Sequence, residues 1–170
     1  MKMDLLGLRT LTTIQRARNL VKQSTGKDID PEAIPLDDQN VLELFRTGRT
    51  KGIFQFESAG MRELLTRMKP DRIEDLIAAN AMYRPGPMEL IPSYCNRKEG
   101  VESVPSVHPL VDDILAETYG IMVYQEQVMQ VLNRLGKLPL NTALTLIKAI
   151  SKKNQDVIAA ERKNLSLIHI

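Results

Sequence analysis

The sequence predicts a mainly α-helical domain, and three features support this fold class. Apolar residues recur at the i, i+3, i+4, i+7 spacing of a helix, most clearly at Met61, Leu64, Leu65 and Met68. Aromatic residues make up only 4% of the 170 residues and there is no tryptophan, so aliphatic side chains and eight methionines must form the core. Hydrophobic residues at 43% and charged residues at 26% are typical of a chain that folds. This composition favours packed helices over stacked sheets.

The amino-terminal third is expected to carry two helices separated by a polar loop. The first helix begins near Leu11, with Thr10 or Thr12 as its N-cap. A loop follows over residues 23–35. Asp37 is expected to cap a short second helix that Gly48 closes.

The central part is expected to contain one extended segment and then further helices. Residues 50–57 include the β-forming residues of an extended stretch. Ser58 caps the next helix and Pro70 ends it, while Asp71 starts another helix that Pro85 stops. The remaining helices are expected at residues 92–98, 110–117, 123–135, 141–150 (capped by Asn141) and 154–163. The total is about seven or eight helices with little strand.

The chain divides into three expected segments of very unequal length. Residues 1–8 read as a short strand end, and residues 9–164 form the helical domain. Residues 165–170 are Leu-Ser-Leu-Ile-His-Ile, which carries no acid, lysine or arginine and matches a conceptual translation of sequencing-adapter DNA. We expect these six residues to be a read-through addition rather than part of the fold; the alternative is a short terminal strand.

Charge is placed unevenly although the formal net charge is only +2. Residues 1–27 contain six basic residues against Asp4 alone, and residues 148–163 contain five against two acidic ones. Basic segments of this kind fit either polyanion binding or ordinary solvated helix faces. Composition alone leaves both open.

Several kinds of site are excluded or unsupported. The single Cys95 cannot form an internal disulfide, and the two histidines His108 and His169 are too few for most zinc sites. Nothing supports pairing Cys95 with His108 as nucleophile and base. No signal peptide or bilayer-length apolar run is present, which predicts a cytoplasmic protein without membrane association.

Six motifs occur in order along the chain, and together they are far more specific than any one of them. They are KMDLLGLRTL (residues 2–11), IPLDD (34–38), GIFQFES with GMR (52–58 and 60–62), YRPGPM (83–88), NRK (96–98) and ETYGIMVYQEQVM (117–129). On these motifs the sequence resembles the alpha subunits of bacterial DNA polymerase III, which are C-family replicative DNA polymerases. The similarity extends from Lys2 to about Arg162.

The resemblance implies a fold and a partial active site. Residues 1–8 would be the edge of a polymerase palm and residues 9–164 the multi-helix fingers domain. In the family three palm carboxylates hold two Mg²⁺ ions, and Asp4 matches the third of them. The other two carboxylates would lie outside this chain, so we expect residues 1–170 alone not to polymerise DNA. Primer-template DNA, dNTP, the rest of the subunit, the sliding clamp and other replisome subunits are the implied partners, the last two through regions absent here.

The resemblance also assigns binding roles to basic and polar residues. Lys148, Lys152 and Lys153 correspond to the family's basic helix end, which is expected to contact the dNTP phosphates. The family commonly has two adjacent arginines there; in this sequence their positions hold Ile147 and Lys148, so a bidentate fork is replaced by a point charge. Lys152 and Lys153 also fit solvated charge near a helix carboxyl end.

Five further residues are candidates for binding nucleotide or DNA. Lys2 lies on the same strand face as Asp4, where it fits a phosphate contact and an ordinary surface lysine equally well. Arg84, in a rigid Pro-Gly-Pro turn, and Gln55 are expected to contact the nucleotide, although Arg84 could instead bind carbonyls of its own turn. Arg97 and Lys98 are expected to contact the template backbone.

Two alternatives remain from the residues themselves. One is a non-catalytic helical module that binds nucleic acid, and the other is a helical interaction domain that does not bind it. The apolar segment that contains Asp4 favours the polymerase interpretation, because a free-standing helical module has no use for it.

Overall fold

The computed structural model describes residues 7–166, with side chains described for residues 7–160. Within this range the prediction of a mainly α fold is confirmed, and no strand is present. The α-helices described are α1 Arg9–Thr25, α2 Gln39–Arg46, α3 Ala59–Met68, α4 Ile73–Met82, α5 Ile91–Lys98, α6 Pro109–Leu115, α7 Gln125–Arg134, α8 Leu140–Ser151 and α9 Gln155–Ser166. Short 3₁₀ helices occupy Pro31–Ala33, Pro87–Leu90 and Ala116–Thr118. The predicted palm strand at residues 1–8 falls almost entirely outside the described residues.

The larger hydrophobic core is formed by helices α2 to α5. As predicted, the Ser58 side chain caps α3 by accepting from the Met61 N–H at 3.3 Å. The four apolar residues that follow this cap at helical spacing are all buried: Met61, Leu64, Leu65 and Met68. They pack with buried residues of α2, α4 and α5. Helical periodicity thus identified this part of the core correctly.

A second, smaller core lies between α6 and α7. Val111, Ile114 and Leu115 are buried, and Val131 and Leu135 pack against them half-buried. Helix α8 packs on α7 and buries Ala143, Leu146 and Ala149, and α9 packs on α8. The carboxyl-terminal helices therefore form a separate packed layer that carries the basic end of α8.

Helix α1 buries none of its residues within the described chain. It begins at Arg9 after Leu8, which offers no side-chain cap, so the predicted N-cap at Thr10 or Thr12 is wrong. The helix continues through part of the predicted loop and ends at Gly26, which has the left-handed conformation common at helix ends. Leu11 is 63% exposed. Ile14 and Leu20 are exposed as well, so most of the apolar side chains of α1 are not covered by the described residues.

Helix starts differ from the predictions by one or two residues. Asp38, rather than Asp37, caps α2 by accepting from the Asn40 N–H at 2.8 Å. Helix α4 begins after Arg72 rather than at Asp71, and the Asp71 carboxylate forms an ion pair with Lys98 instead of capping the helix. Helix α8 begins at Leu140 after Pro139, so the predicted cap Asn141 lies inside the helix.

The segment predicted to be extended, residues 50–57, instead forms consecutive turns. The Ile53 N–H donates to the Thr50 carbonyl and the Phe56 N–H donates to the Ile53 carbonyl, each at 3.0 Å. Gly52 (φ 83°) and Gln55 (φ 68°) have left-handed backbone conformations that an extended strand does not allow. The prediction followed the β-forming side chains and missed this turn.

At the carboxyl end, α9 includes Leu165 and Ser166. The expectation that the helix stops before Leu165 is therefore wrong, and residues 167–170 lie outside the described range. The domain boundaries at residues 8 and 164 remain predictions. None of the helices described is both long and apolar enough to cross a lipid bilayer.

Candidate nucleotide and nucleic-acid interface

The catalytic candidate Asp4 and its neighbour Lys2 lie outside the described residues. Among the residues that are described, no group of three or more histidine, cysteine, aspartate or glutamate side chains is placed to hold a metal ion. The geometry of the candidate interface therefore comes from the turns and helix ends that present Gln55, Arg84 and the lysines of α8.

Arg84 is exposed on a turn whose backbone is fixed at several points. Tyr83 has φ −76° and ψ 66°, the conformation of an inverse γ-turn, and the Arg84 N–H donates to the Met82 carbonyl at 2.7 Å. The Arg84 carbonyl in turn accepts from the Met88 N–H at 3.2 Å. The Arg84 side chain makes no hydrogen bond with any described residue, so the alternative in which it binds its own turn is not observed. The guanidinium is available to an external anion.

Gln55 lies exposed at the tip of the turns between α2 and α3. Its left-handed backbone is uncommon for a residue other than glycine. The Thr50 hydroxyl, which is buried, donates to the Phe56 carbonyl at 2.6 Å, and Phe56 packs edge-on against Phe45 with ring centroids 5.1 Å apart. These contacts hold the turn to the larger core, so the position of Gln55 is fixed although its side chain is free to meet a ligand.

Lys148, Lys152 and Lys153 are exposed together at the carboxyl end of α8. The helix ends in a Schellman motif: the Lys153 N–H donates to the Ile150 carbonyl and the Asn154 N–H donates to the Ala149 carbonyl, both at 2.9 Å. Lys153 occupies the left-handed position, at φ 53°, that glycine usually takes. None of the three lysines forms an ion pair with a side chain that the structure describes. We call these three residues the α8 lysine cluster.

Lys98 does not point to solvent but is almost completely buried. Its ammonium Nζ lies 2.8 Å from Asp71 Oδ1 and 2.8 Å from Asp75 Oδ2, and its side chain is 7% exposed. Burial opposes the charged form, but the hydrogen bonds to Asp71 and Asp75 outweigh it and raise the pKa of Lys98. The same contact from Lys98 lowers the pKa of Asp71. Lys98 is therefore part of an internal ion pair.

Arg97 is also engaged inside the protein. Its Nε donates to Glu102 Oε1 at 2.7 Å and its Nη1 donates to the Tyr119 carbonyl at 3.2 Å. Tyr119 is itself in a left-handed conformation at φ 53°, so Arg97 helps to hold the turn that leads into α7. Both side chains thus have internal partners in this structure, and the expected contact of Arg97 and Lys98 with template phosphates stays a prediction.

The centre of this internal network is Asp75, which sequence reasoning missed. Asp75 is fully buried; its Oδ1 accepts from the Tyr94 hydroxyl at 3.1 Å and its Oδ2 accepts from the Asp71 N–H at 3.1 Å. Burial of the Tyr94 ring, followed by the nearby Asp75 charge, raises the pKa of Tyr94 well above its usual range. The sequence signal for this network was an acidic residue beside the apolar residues of a helix, since a carboxylate buried at such a position requires a hydrogen-bonding or charged partner.

A second set of buried polar contacts fixes the turn before α7. The Thr118 hydroxyl donates to the Ile121 carbonyl at 2.6 Å and accepts from Gln127 Nε2 at 2.8 Å. Gln127 Oε1 accepts from the N–H groups of Val123 and Tyr124, at 2.9 and 3.0 Å. Thr118 and Gln127 belong to one of the six sequence motifs, and their contacts here are structural.

Tyr124 borders a cavity of about 330 Å³ between α6 and α7. Its hydroxyl is buried without a hydrogen-bond partner among the described residues, and burial raises the pKa of Tyr124 to about 12. Cys95 is buried as well, which raises the pKa of its thiol, while His108 Nδ1 accepts from the Leu110 N–H at the start of α6. Cys95 is thus a buried thiol, and His108 caps α6.

The candidate residues thus fall into two places. Gln55 and Arg84 lie on turns whose neighbours Phe56 and Tyr83 pack on the larger core, whereas the α8 lysine cluster lies on the carboxyl-terminal layer. The fold and these positions define a class: a helical domain that presents basic residues on fixed turns and at one helix end.

A family model described as the bacterial DNA polymerase III alpha subunit finger domain matches residues 10–167. The chain belongs to this family. The DNA polymerase III subunit alpha of Chlamydia trachomatis is 48% identical over 163 residues, which are 96% of this chain and 13% of that relative. The proteins of the same name from Chlamydia pneumoniae and Staphylococcus aureus are 47% and 44% identical over 96% of this chain, and it covers 13% and 15% of their lengths. The chain thus spans about one seventh of the curated relatives it matches.

Proposed function

We propose that this chain is the fingers of a replicative DNA polymerase, a longer polypeptide that transfers nucleotides from dNTP to a primer 3′-hydroxyl under the direction of a template. The family match over residues 10–167 and the names of the relatives support this proposal. One observation supports a nucleotide-binding role for particular residues: the α8 lysine cluster is exposed and forms no ion pair with the described side chains.

The α8 lysine cluster would bind the triphosphate of the incoming nucleotide. Phosphate oxygens carry high negative charge, and lysine ammonium groups bind them as point charges. Lys148 lies in the last turn of α8 and Lys152 is its C-cap residue, whose N–H donates to the Lys148 carbonyl at 3.1 Å, so the two residues are one helical turn apart. Because Ile147 stands where the family commonly has arginine, Lys148 would make this contact without a neighbouring guanidinium.

Arg84 and Gln55 would add contacts from the other part of the fold. The fixed turn around Arg84 presents a free guanidinium, which suits bidentate binding of phosphate. Gln55 offers an amide donor and acceptor from a turn held to the core. In both cases the rigid backbone lowers the conformational entropy lost on binding.

Two Mg²⁺ ions are implied as cofactors, and the described residues contain no group that would hold them. Asp4 would supply one carboxylate from the adjoining palm, with Lys2 beside it, and the remaining ligands would come from other parts of the polypeptide. When bound, such ions activate the primer hydroxyl and stabilise the leaving pyrophosphate. Residues 1–170 alone are therefore expected not to extend a primer.

The partners of the full polypeptide would be primer-template DNA, dNTP, the rest of the alpha subunit, the sliding clamp and other replisome subunits. DNA and nucleotide would meet this domain directly, while the protein partners would bind regions outside it. Such an enzyme would act in the bacterial cytoplasm, at the nucleoid, without a membrane contact.

The proposal is tested by replacing all three lysines of the α8 lysine cluster with glutamine in the full-length polypeptide. Charge-assisted hydrogen bonds contribute roughly 1.5–3 kcal/mol each, and 1.4 kcal/mol is a tenfold change in affinity. We therefore expect the KM for dNTP in primer extension to rise at least roughly tenfold. Lys137→Gln is the matched control, because Lys137 is exposed, has φ 54° against 53° for Lys153, and lies before the opposite end of α8.

An unchanged KM in the triple variant would remove the phosphate-binding role of the cluster. An equal rise in the Lys137→Gln control would indicate a general effect of surface charge instead. Primer extension by purified residues 1–170 would contradict the view that the palm carboxylates lie outside this chain.

A further inference from the structure

Gly60 and Tyr83 form a contact that joins the start of α3 to the end of α4. A Cβ built on Gly60 would overlap the Tyr83 hydroxyl oxygen and would lie 3.1 Å from Cζ of the same ring. Glycine in a helix is destabilising relative to alanine by roughly 0.5–1 kcal/mol. Gly60 lies in the first turn of α3, and a larger side chain there would fill the space that the Tyr83 ring occupies.

Tyr83 is also the residue at which the chain leaves α4 toward Arg84. It is the central residue of the inverse γ-turn, closed by the hydrogen bond from the Arg84 N–H to the Met82 carbonyl. Pro85 and Pro87 then restrict the backbone, and Gly86 takes φ 99° between them. The direction of the Arg84 side chain therefore depends on where the Tyr83 ring is docked.

We propose that Gly60 is a positioning residue that acts through Tyr83: it lets the tyrosine ring dock on α3 and so fixes the turn that presents Arg84 to the nucleotide triphosphate. This inference rests on the proposed function, in which Arg84 contacts that triphosphate. Displacement of the ring by about 1 Å or more moves a guanidinium out of hydrogen-bond range of a phosphate that the rest of the site holds in place.

The Tyr83 hydroxyl provides an unusually selective test. It makes no hydrogen bond with a described residue, so Tyr83→Phe removes little from the folded protein. With phenylalanine at this position, the closest atoms to an added Cβ on residue 60 would be ring carbons at 3.1 and 3.5 Å, which small shifts accommodate. The double variant Gly60→Ala with Tyr83→Phe should therefore regain the docked position of the ring, which Gly60→Ala alone is expected to disturb.

The experiment measures kcat and the KM for dNTP in primer extension by the full-length polypeptide. Four variants are compared with the wild type: Arg84→Ala, Gly60→Ala, Tyr83→Phe and the double variant of positions 60 and 83. We expect the KM to rise roughly tenfold in Arg84→Ala, from the loss of one charge-assisted contact. We expect a rise of several-fold in Gly60→Ala, and a KM within about twofold of wild type in Tyr83→Phe and in the double variant.

The outcomes separate this inference from the proposed function. A raised KM in Arg84→Ala with wild-type behaviour in Gly60→Ala overturns the positioning role and leaves the role of Arg84 intact. A defect in Gly60→Ala that Tyr83→Phe does not relieve also overturns it, because the effect then comes from α3 itself. No effect of Arg84→Ala removes both the role of Arg84 and the inference built on it.

A variant that unfolds does not end the test. If Gly60→Ala is not recovered as folded protein, Tyr83→Leu replaces the docked ring without any clash, and its KM should be raised whereas that of Tyr83→Phe is not. KM is independent of the fraction of active enzyme, so partial misfolding does not imitate the expected result. Equal KM values for Tyr83→Leu and Tyr83→Phe would overturn the inference.

Discussion

The core around α4 and α5 and the carboxyl end of α8 use the same residue type in opposite ways. Lys98 is 7% exposed and lies between two carboxylates at 2.8 Å. Lys148, Lys152 and Lys153 are exposed, and none pairs with an acid among the described side chains. A buried charge must be paired because removal from water is costly, whereas an exposed charge remains available to a ligand. Burial and pairing therefore distinguish a structural lysine from a candidate phosphate-binding lysine.

The largest expected effect comes from breaking the buried pair. In Lys98→Met the buried Asp75 carboxylate loses its ammonium partner. It keeps the Tyr94 hydroxyl, the Asp71 N–H and the guanidinium of Arg72, whose Nε lies 3.5 Å from Asp75 Oδ1. Removal of one member of a buried ion pair costs about 3–5 kcal/mol. We expect urea unfolding of the chain to give a free energy of unfolding lower by about 3 kcal/mol, the lower end of this range, because Arg72 still compensates part of the Asp75 charge.

Lys69→Met is the matched control for this prediction. Lys69 forms an ion pair with Glu99 at 2.7 Å, as short as the contacts of Lys98, but its side chain is 65% exposed. Exposed pairs contribute roughly 0–1 kcal/mol, so the loss should be much smaller. Equal losses in the two variants would refute the distinction drawn from burial.

Much of the fold could be predicted because local signals and tertiary packing agree there. The cap at Ser58 and the four apolar residues after it specify α3 without reference to the rest of the chain. The turn at residues 50–57 could not be predicted in the same way, because the left-handed conformation of Gln55 is imposed by contacts to the core rather than by its residue type. The helix starts at Asp38 and Pro139 differ from the predicted ones by one or two residues, because several neighbouring residues in each place are suitable for a helix start.

The candidate site was less predictable than the fold. The lysines of the α8 lysine cluster lie at or just beyond the carboxyl end of α8, where basic residues are common, so their accessibility could be expected. The partners of Lys98 are 23 and 27 residues earlier in the chain, and no spacing rule connects them. In the sequence Arg97 and Lys98 form a basic pair after an asparagine, which is equally consistent with DNA binding and with internal pairing. Their placement opposite Glu102 and Asp75 reveals the internal pairing, which the sequence does not, and the contact with DNA stays a prediction.

A smaller effect is expected from Lys153→Gly, which separates the binding role of a lysine from its backbone strain. A left-handed conformation costs about 1–2 kcal/mol for a residue with a Cβ, so glycine should raise the free energy of unfolding by about 1 kcal/mol. The same variant removes one lysine of the cluster and should raise the KM for dNTP several-fold. Lys137→Gly should be stabilised equally, since its φ is 54°, with no change in KM. A rise in KM in both variants would assign the effect to the backbone rather than to the cluster.

The smallest effect concerns the exposed member of the buried network, Asp71. The hydrogen bond from Lys98, partly opposed by burial, lowers the pKa of Asp71 below its ordinary value of 3.8. A carboxyl with a depressed folded pKa contributes stability above the unfolded pKa, and this contribution is lost as the pH falls through the folded pKa. Asp71 is 59% exposed, so solvent screening limits the contribution to that of a surface pair, roughly 0.2–1 kcal/mol.

Asp71→Asn removes this titration and keeps the size of the side chain. The difference in free energy of unfolding between wild type and variant should be present at pH 6 and should shrink as the pH falls below about 3.8. Other acids titrate in both proteins, so the difference isolates Asp71. Lys98 has the opposite pH dependence, because its pKa is raised in the folded protein. Its contribution to the free energy of unfolding is present below its ordinary pKa of 10.5 and is lost only as the pH rises through the higher pKa of the folded state. A difference between wild type and Asp71→Asn that is the same at pH 6 and at pH 2 would mean that Asp71 contributes through the shape of its side chain and not through its charge.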